Sequence, residues 1–319
     1  MNAILERIGQ VGLVPVIKLE SAAKAPALGR ALAAGGIPVA EVTFRSAAAP
    51  EAIRRLKEEV PELLVGAGTV LTTAQAAQAL AAGASFVVSP SFNPAVVDWC
   101  LERSLPVLPG VTGPEGVELG LARGLEALKF FPAEASGGLA MLDSLAGPYA
   151  GMRFVPTGGI DAANLQGYAR RPQVLAVGGS WMARADLAEA EDWEGIERLA
   201  REAVLALHGF SFAHLGINGA DDGEARKAAG LLSALFGFAL KEGASSIFAS
   251  EALELTRRAF PGEKGHIAVR CNDVERALAR FEAMGVGSLP DTAKLEKGRV
   301  KAVYLDLSVG GFALQLLRA

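Results

Sequence analysis

A lysine stands inside the apolar run Ala127-Leu128-Lys129-Phe130-Phe131-Pro132. Withdrawing an ammonium from water is costly, so such a lysine needs a reason. Desolvation favours the neutral amine, the form that attacks a carbonyl carbon to give a Schiff base. A second run, Val39-Ala40-Glu41-Val42-Thr43-Phe44-Arg45, alternates in polarity. Read as a strand, it puts Glu41, Thr43 and Arg45 on one face and Val42 and Phe44 on the other. In residues 127–133 the same alternation groups Ala127, Lys129 and Phe131. A carboxylate on a neighbouring inward face can move protons during carbonyl chemistry. A buried Lys–Glu pair with a purely structural role is the alternative reading of this spacing.

The first histidine in the chain is His208. Histidine triads and His-ligated metals are thus unavailable to the region before it, and proton transfer there falls to Glu, Asp, Lys, Tyr or water. Two glycine pairs, in "PTGGI" (156–160) and "VGGSW" (177–181), have Thr157 and Ser180 beside them. Glycine lets backbone N–H groups approach an anion closely. The pairs point to a phosphorylated ligand, against a reading as plain tight turns. "GAGTV" (66–70), "SPSFN" (89–93) and "PGVT" (109–112) supply small residues and prolines that suit a pocket mouth or ordinary turns.

The elements that must position these groups recur. Apolar strands are expected at 13–19, 39–45, 63–70, 85–91, 105–112, 127–133, 153–159 and 174–181. Helical segments such as 50–59, 73–82 and 187–207 alternate with them, 192–209 being the last. This alternation predicts an α/β fold of parallel βαβ units, a (β/α)8 TIM barrel over residues 1–209, in preference to an open doubly wound sheet. Active sites of such barrels lie at the C-terminal ends of the strands, and loops after strands seven and eight commonly take phosphate.

The chain has 319 residues, 51% of them hydrophobic and 21% charged, enough for a large core plus an appendage. A net charge of −4 with no basic stripe argues against nucleic acid and anionic membrane as partners. Cys100 and Cys271 form no metal or redox motif. The amphipathic start "MNAILERIGQ" has no signal-peptide pattern, and no apolar stretch suits a bilayer, so the expected place is the cytoplasm.

Residues 210–319 have a different texture. "FSFAHLGINGADDGEARKAAGLLSALFGF" (210–238) and "EKGHIAVRCNDVERALARFEAMGV" (263–286) each offer a strand with a histidine, an aspartate seven residues later (Asp221, Asp273) and an amphipathic helix. Strand-like segments follow each, which predicts a small α+β domain of two βαβββ repeats.

The ordered motifs "EVTFRS", "GAGTVL", "SPSFNP", "LPGVTGPEG", "KFFPAEASGG", "FVPTGGI" and "VGGSW" resemble those of the bacterial 2-keto-3-deoxy-6-phosphogluconate/4-hydroxy-2-oxoglutarate aldolase family, over residues 5–207. Ser46 departs slightly from the family, which often has threonine there. The resemblance implies that Lys129 forms the Schiff base and that Glu41 is the general acid/base. It implies that Arg45 and Thr69 bind the pyruvate carboxylate, that Pro90 and Phe131 line the pocket, and that Gly158, Gly159, Gly179 and Ser180 hold phosphate. It further implies a phosphorylated keto-acid substrate, no cofactor for the aldolase, a place in the Entner-Doudoroff pathway, and a homotrimer.

The C-terminal repeats resemble the vicinal oxygen chelate (glyoxalase-like) superfamily. That likeness implies a divalent transition metal on His214, Glu254, His266 and Gln315, with Glu251 as a rival carboxylate; glutamine stands where an acid is usual. An assembly or regulatory module is the alternative. For the whole chain the competing functions are a phosphate-binding barrel isomerase or epimerase using Glu41 and Lys129, and a sugar-phosphate sensor with residues 210–319 as output.

Overall fold

The computed structural model describes residues 2–319. It forms two compact units, one running to Leu207 and the other from His208 to Ala319, so that His208 and Gly209 go with the second unit.

The first unit is a (β/α)8 barrel. Its strands are β1 (Leu13–Ile17), β2 (Val39–Thr43), β3 (Leu64–Gly68), β4 (Phe86–Ser89), β5 (Val107–Val111), β6 (Ala127–Phe130), β7 (Arg153–Pro156) and β8 (Val177–Gly179). Neighbours pair in parallel in the order β7-β6-β5-β4-β3-β2-β1-β8. Single bridges Phe154↔Val174 and Thr157↔Gly178 close the ring.

The pleat sorts the side chains into two layers. Val14, Val39, Leu64, Phe86, Leu108, Ala127 and Val155 pack together inside the barrel, with Leu5 and Ile8 of the helix Ala3–Val11 among them. Ala40, Val42, Val65, Val87, Leu128, Phe130 and Phe154 face the surrounding helices. Glu41 and Lys129 stand one pleat above Val39 and Ala127 on the interior face, towards the C-terminal mouth.

Every strand is shorter than its sequence pattern. Residues 44–45, 131–133 and 157–159 lie beyond the strands, although Phe44, Phe131 and Thr157 still donate backbone bonds to the Gly68, Val111 and Phe130 carbonyls as the mouth loops begin. The helix expected at 187–207 is also broken. Ala185–Glu189 and Trp193–His208 are separate helices, and between them Glu191 takes a φ of 57°.

The second unit is an eight-stranded mixed sheet with two helices. Its strands are β9 (Ser211–Asn218), β10 (Leu240–Glu242), β11 (Ser246–Ala249), β12 (Leu253–Thr256), β13 (Gly265–Cys271), β14 (Ser288–Glu296), β15 (Arg299–Val309) and β16 (Phe312–Arg318). Helices Asp222–Phe236 and Val274–Ala283 follow β9 and β13, giving two βαβββ repeats. Asp221 and Asp273 are their N-caps, accepting from the N–H of Glu224 and Arg276. The strand order β10-β11-β12-β9-β13-β16-β15-β14 sets the first strands of both repeats side by side, each flanked by the last strand of its own repeat. No helix of the described residues is long and apolar enough to cross a membrane.

Candidate functional site

Lys129 and Glu41 meet inside the barrel although 88 residues separate them in sequence. Lys129 Nζ lies 3.2 Å from Glu41 Oε1 and 3.4 Å from Oε2. Both are buried, at 6% and 3% exposure, so water screens neither charge well. The ammonium also lies 5.3 Å from the centre of the Phe131 ring. An amine and a carboxylate in contact, under an open mouth, have the parts for amine attack on a carbonyl with local proton return.

Close backbone approach makes room for this pair. Gly68 ends β3 opposite Thr43, and a Cβ there would stand 2.2 Å from Glu41 Oε1. Gly66, opposite Glu41, gives its space to the Phe86 ring.

Arg45 is exposed at the mouth, just beyond the end of β2. Its Nε donates to Thr43 Oγ1 at 3.2 Å, and that hydroxyl donates to the buried Ile17 carbonyl at 2.8 Å. Thr43 thus aims the guanidinium, a role that sequence reasoning left unassigned although the alternation had put Thr43 between Glu41 and Arg45. Thr69 follows Gly68 with a φ of 55°, a strained conformation for a branched residue.

Pro90 and Phe131 are half-buried beyond β4 and β6. Gly158 and Gly159 have φ of 98° and 78°, which only glycine adopts without strain. Gly179 is buried at the end of β8 and Ser180 is exposed beyond it. Thr157 and Gly178 are bridged, so the two glycine pairs belong to adjacent loops. Glu134 and Tyr168, absent from the sequence reading, are hydrogen-bonded beside Gly159 and Gly138. Burial, then the Glu134 carboxylate, pushes the Tyr168 phenol well above its usual range, so it serves as a neutral donor.

In the second unit, strand register builds another cluster. Glu254 on β12, Gly216 on β9 and His266 on β13 form one cross-strand row. The next row carries His214, Ala268, Gln315 and Tyr304. Gly216 has no side chain to obstruct the imidazole: a Cβ there would lie 2.0 Å from His266 Cε1. Glu254 Oε2 is 3.0 Å from His214 Nε2 and 3.1 Å from His266 Nε2, and the two Nε2 atoms are 3.1 Å apart. Burial opposes the charge on Glu254. Hydrogen bonds from His214, His266 and Ser246 override it and hold the carboxyl well below its usual range.

This triangle fits a metal. Cis ligand atoms about 2.1 Å from a six-coordinate ion are about 3.0 Å apart, and two histidines with one carboxylate are a known facial set. The 3.1 Å between the two Nε2 atoms suits a hydrogen bond from one protonated nitrogen to the other's bare one, and it equally suits two lone pairs turned on a divalent cation that takes the Glu254 oxygen as well. Gln315 lines the same cavity one row along. Glu251 is exposed and lies outside the triangle.

Comparison with known proteins places the barrel among relatives. The family model described as KDPG and KHG aldolase matches residues 4–199. A 2-dehydro-3-deoxy-phosphogluconate aldolase of Treponema pallidum is 48% identical over 204 residues, covering 64% of this chain and 97% of that protein. A KHG/KDPG aldolase of Escherichia coli K12 is 45% identical over 192 residues, covering 60% and 90%. Among solved structures, a KDPG aldolase of Legionella pneumophila with pyruvate captured as a covalent carbinolamine superposes with a TM-score of 0.61. It is 36% identical and covers 62% of this chain and 97% of that one. The Zymomonas mobilis aldolase with 3-phosphoglycerate gives a TM-score of 0.60 at 40% identity, covering 63% and 94%.

Proposed function

The chain belongs to the KDPG and KHG aldolase family, and we propose that its barrel cleaves 2-keto-3-deoxy-6-phosphogluconate to pyruvate and glyceraldehyde 3-phosphate through a Schiff base on Lys129. The observation that carries this reading is the buried contact of 3.2 Å between Lys129 and Glu41. Lys129 adds to the C2 ketone, and Glu41 helps the carbinolamine lose water. The cationic imine then accepts the electron pair of the breaking C3–C4 bond. Glu41, or a water it holds, takes the proton of the C4 hydroxyl as the aldehyde forms. Return of a proton to C3 of the enamine, followed by hydrolysis, releases pyruvate and restores the amine.

Arg45, aimed by Thr43, and Thr69 hold the pyruvyl carboxylate; Pro90 and Phe131 wall the pocket. Gly158, Gly159, Gly179 and Ser180 receive the phosphate. 4-Hydroxy-2-oxoglutarate, which would yield pyruvate and glyoxylate, is the smaller substrate of the same chemistry. The family resemblance also supports a homotrimer, tested by sedimentation at three times the 33.0 kDa chain mass, and a cytoplasmic place in sugar-acid breakdown.

Borohydride with pyruvate tests the central step. A reduced adduct should form on Lys129 and be missing from Lys129→Ala, which should also lose cleavage. An isomerase or epimerase using the same pair as acid and base would gain no adduct, and a sensor would bind without turnover.

The second unit, residues 208–319, is read as a glyoxalase-like metal domain. His214, Glu254 and His266 would hold a divalent transition metal, with Gln315 beside it. The ion would supply Lewis acidity to an oxygen ligand. Elemental analysis of the full chain after loading with Zn, Ni or Mn should find up to one ion per chain, reduced in His266→Ala. EDTA should strip that ion and leave pyruvate release intact. Loss of aldolase turnover to EDTA, restored by a divalent ion, would favour a metal-dependent aldolase instead.

A further inference from the structure

We propose that the C-terminal metal site receives a small acid with two anionic groups, one on the ion and the other on Lys294. The proposal rests on the metal reading of His214, Glu254 and His266 and adds a ligand class to it.

The cavity over the triangle measures about 180 Å³. That is the space of about six water molecules, enough for a small organic acid. Charge decides what kind. Glu254 is the only acidic residue lining the cavity, while Lys294 and Lys301 are its cations. Lys301 is engaged by Glu296 at 2.6 Å. The Lys294 side chain is exposed and has no ion-pair or hydrogen-bond partner among the described residues. A divalent ion brings two positive charges against the one carboxylate of Glu254, and Lys294 adds a third. Two positive charges are left uncompensated, and a neutral ligand would leave them so.

Register sets the direction. Lys294 on β14 pairs with Ala302 on β15; Tyr304, two residues along β15, pairs with Gln315 on β16. Gln315 in turn pairs with Ala268 on β13, whose other neighbour is His214. A ligand running from the ion towards Lys294 therefore crosses Gln315 and Tyr304, a neutral amide and a phenol. The Tyr304 hydroxyl lines the same cavity and can donate a hydrogen bond to an anion there. Lys294 on β14 stands three strand steps from His266 on β13, four from His214 on β9 and five from Glu254 on β12, at about 4.8 Å per step. Lys294 and the triangle line one cavity of about 180 Å³, and its size bounds the span between the two anionic groups. Oxygen donors suit the open positions of a two-histidine, one-carboxylate ion. The class that meets all of this is a 2-oxo or 2-hydroxy acid carrying a second carboxylate or a phosphate.

The test uses the full chain loaded with Mn²⁺ and follows water-proton relaxation, which senses only water on the bound ion and so ignores the barrel. 2-Oxoglutarate, 3-phosphoglycerate and pyruvate are titrated separately. At least one of 2-oxoglutarate and 3-phosphoglycerate should displace the water at about a tenth of the pyruvate concentration or less, and the tighter of the two identifies carboxylate or phosphate as the second group. Lys294→Ala should bring that acid to within about twofold of pyruvate, with Mn²⁺ content unchanged. Equal competition by all three acids, or an unchanged preference in Lys294→Ala, overturns the ligand class while the metal reading stands. Failure of the chain to hold Mn²⁺, seen before any acid is added, overturns both.

Discussion

Replacing Gly68 by alanine tests the placement of Glu41 without removing any reacting group. The new Cβ would lie 2.2 Å from Glu41 Oε1, 2.5 Å from Cγ and 2.7 Å from Cδ. Contacts between non-bonded heavy atoms settle near 3.5 Å, so the carboxylate must retreat by about 1 Å. The interior is close-packed, and Oε1 is the oxygen that stands 3.2 Å from Lys129 Nζ. Displacing a positioned group by about 1 Å costs on the order of 10² in rate, or about 2.7 kcal/mol of barrel-site transition-state stabilisation. Loss of the acid–base group itself, as in Glu41→Gln, costs roughly 10²–10⁴. Gly68→Ala should therefore lower kcat for pyruvate release about 10²-fold, near the mild end of Glu41→Gln. Pyruvate affinity should survive, because Arg45 and Thr69 keep their groups. The backbone tolerates alanine, since Gly68 has no left-handed φ, so circular dichroism and Tm should show an intact barrel. A kcat within twofold of the parent, in a folded variant, would mean that the carboxylate position does not matter to the reaction.

Other perturbations separate the remaining roles. Thr43→Val removes the hydroxyl that receives Arg45 Nε and satisfies the Ile17 carbonyl; KM should rise about tenfold with kcat little changed, and a fall in kcat alone would assign Thr43 elsewhere. Gly216→Ala drives a methyl group into the His266 ring, so loaded protein should hold less metal than the parent; full metal content would remove His266 from the ligand set. His208 is driven down to about 3 by burial, then by Arg280 and Arg276, with Asp273 opposing. Its folded value lies below its ordinary 6.5, so unfolding takes up a proton. The stability it contributes is whole above pH 6.5 and is lost as pH falls towards 3, by about 2.7 kcal/mol at pH 4.5. Urea unfolding at pH 7 and pH 4.5 measures this, and an acid limb equally steep in His208→Leu would exonerate the histidine.

Periodicity made the barrel legible because alternation survives burial. Val39 and Ala127 inside, with Ala40 and Leu128 against the helices, follow from the period of two. The same period put Glu41 and Lys129 on interior faces, but nothing local says that the two side chains touch across 88 residues. Strand ends were harder. Phe44 and Arg45 continue the pattern of β2 although the strand ends at Thr43 and β3 gives its last backbone bond to Phe44, because composition does not record where a neighbouring strand ceases to supply partners. The extended pattern hid the fact that a side-chain hydrogen bond, not the pleat, aims Arg45. The choice between Glu251 and Glu254 likewise depended on register, and the edge-strand Lys294 entered a cavity that no spacing foretold.

Glycines within strands were the signal left unread. Gly68 and Gly216 lie in β3 and β9, where a missing side chain weakens the strand and marks a close approach. Each faces a polar group that must turn inward: the Glu41 carboxylate in one unit and the His266 ring in the other. Sequence shows the glycine and, elsewhere, the candidate side chain; only pairing joins them, through Thr43↔Gly68 and Gly216↔His266. A strand glycine whose missing Cβ would strike a candidate acid, base or ligand is therefore evidence about where that group points. Gly66, paired with Glu41 itself, makes room for the Phe86 ring instead, so the pairing alone does not decide, and the two alanine variants ask the question where the glycine meets the polar group.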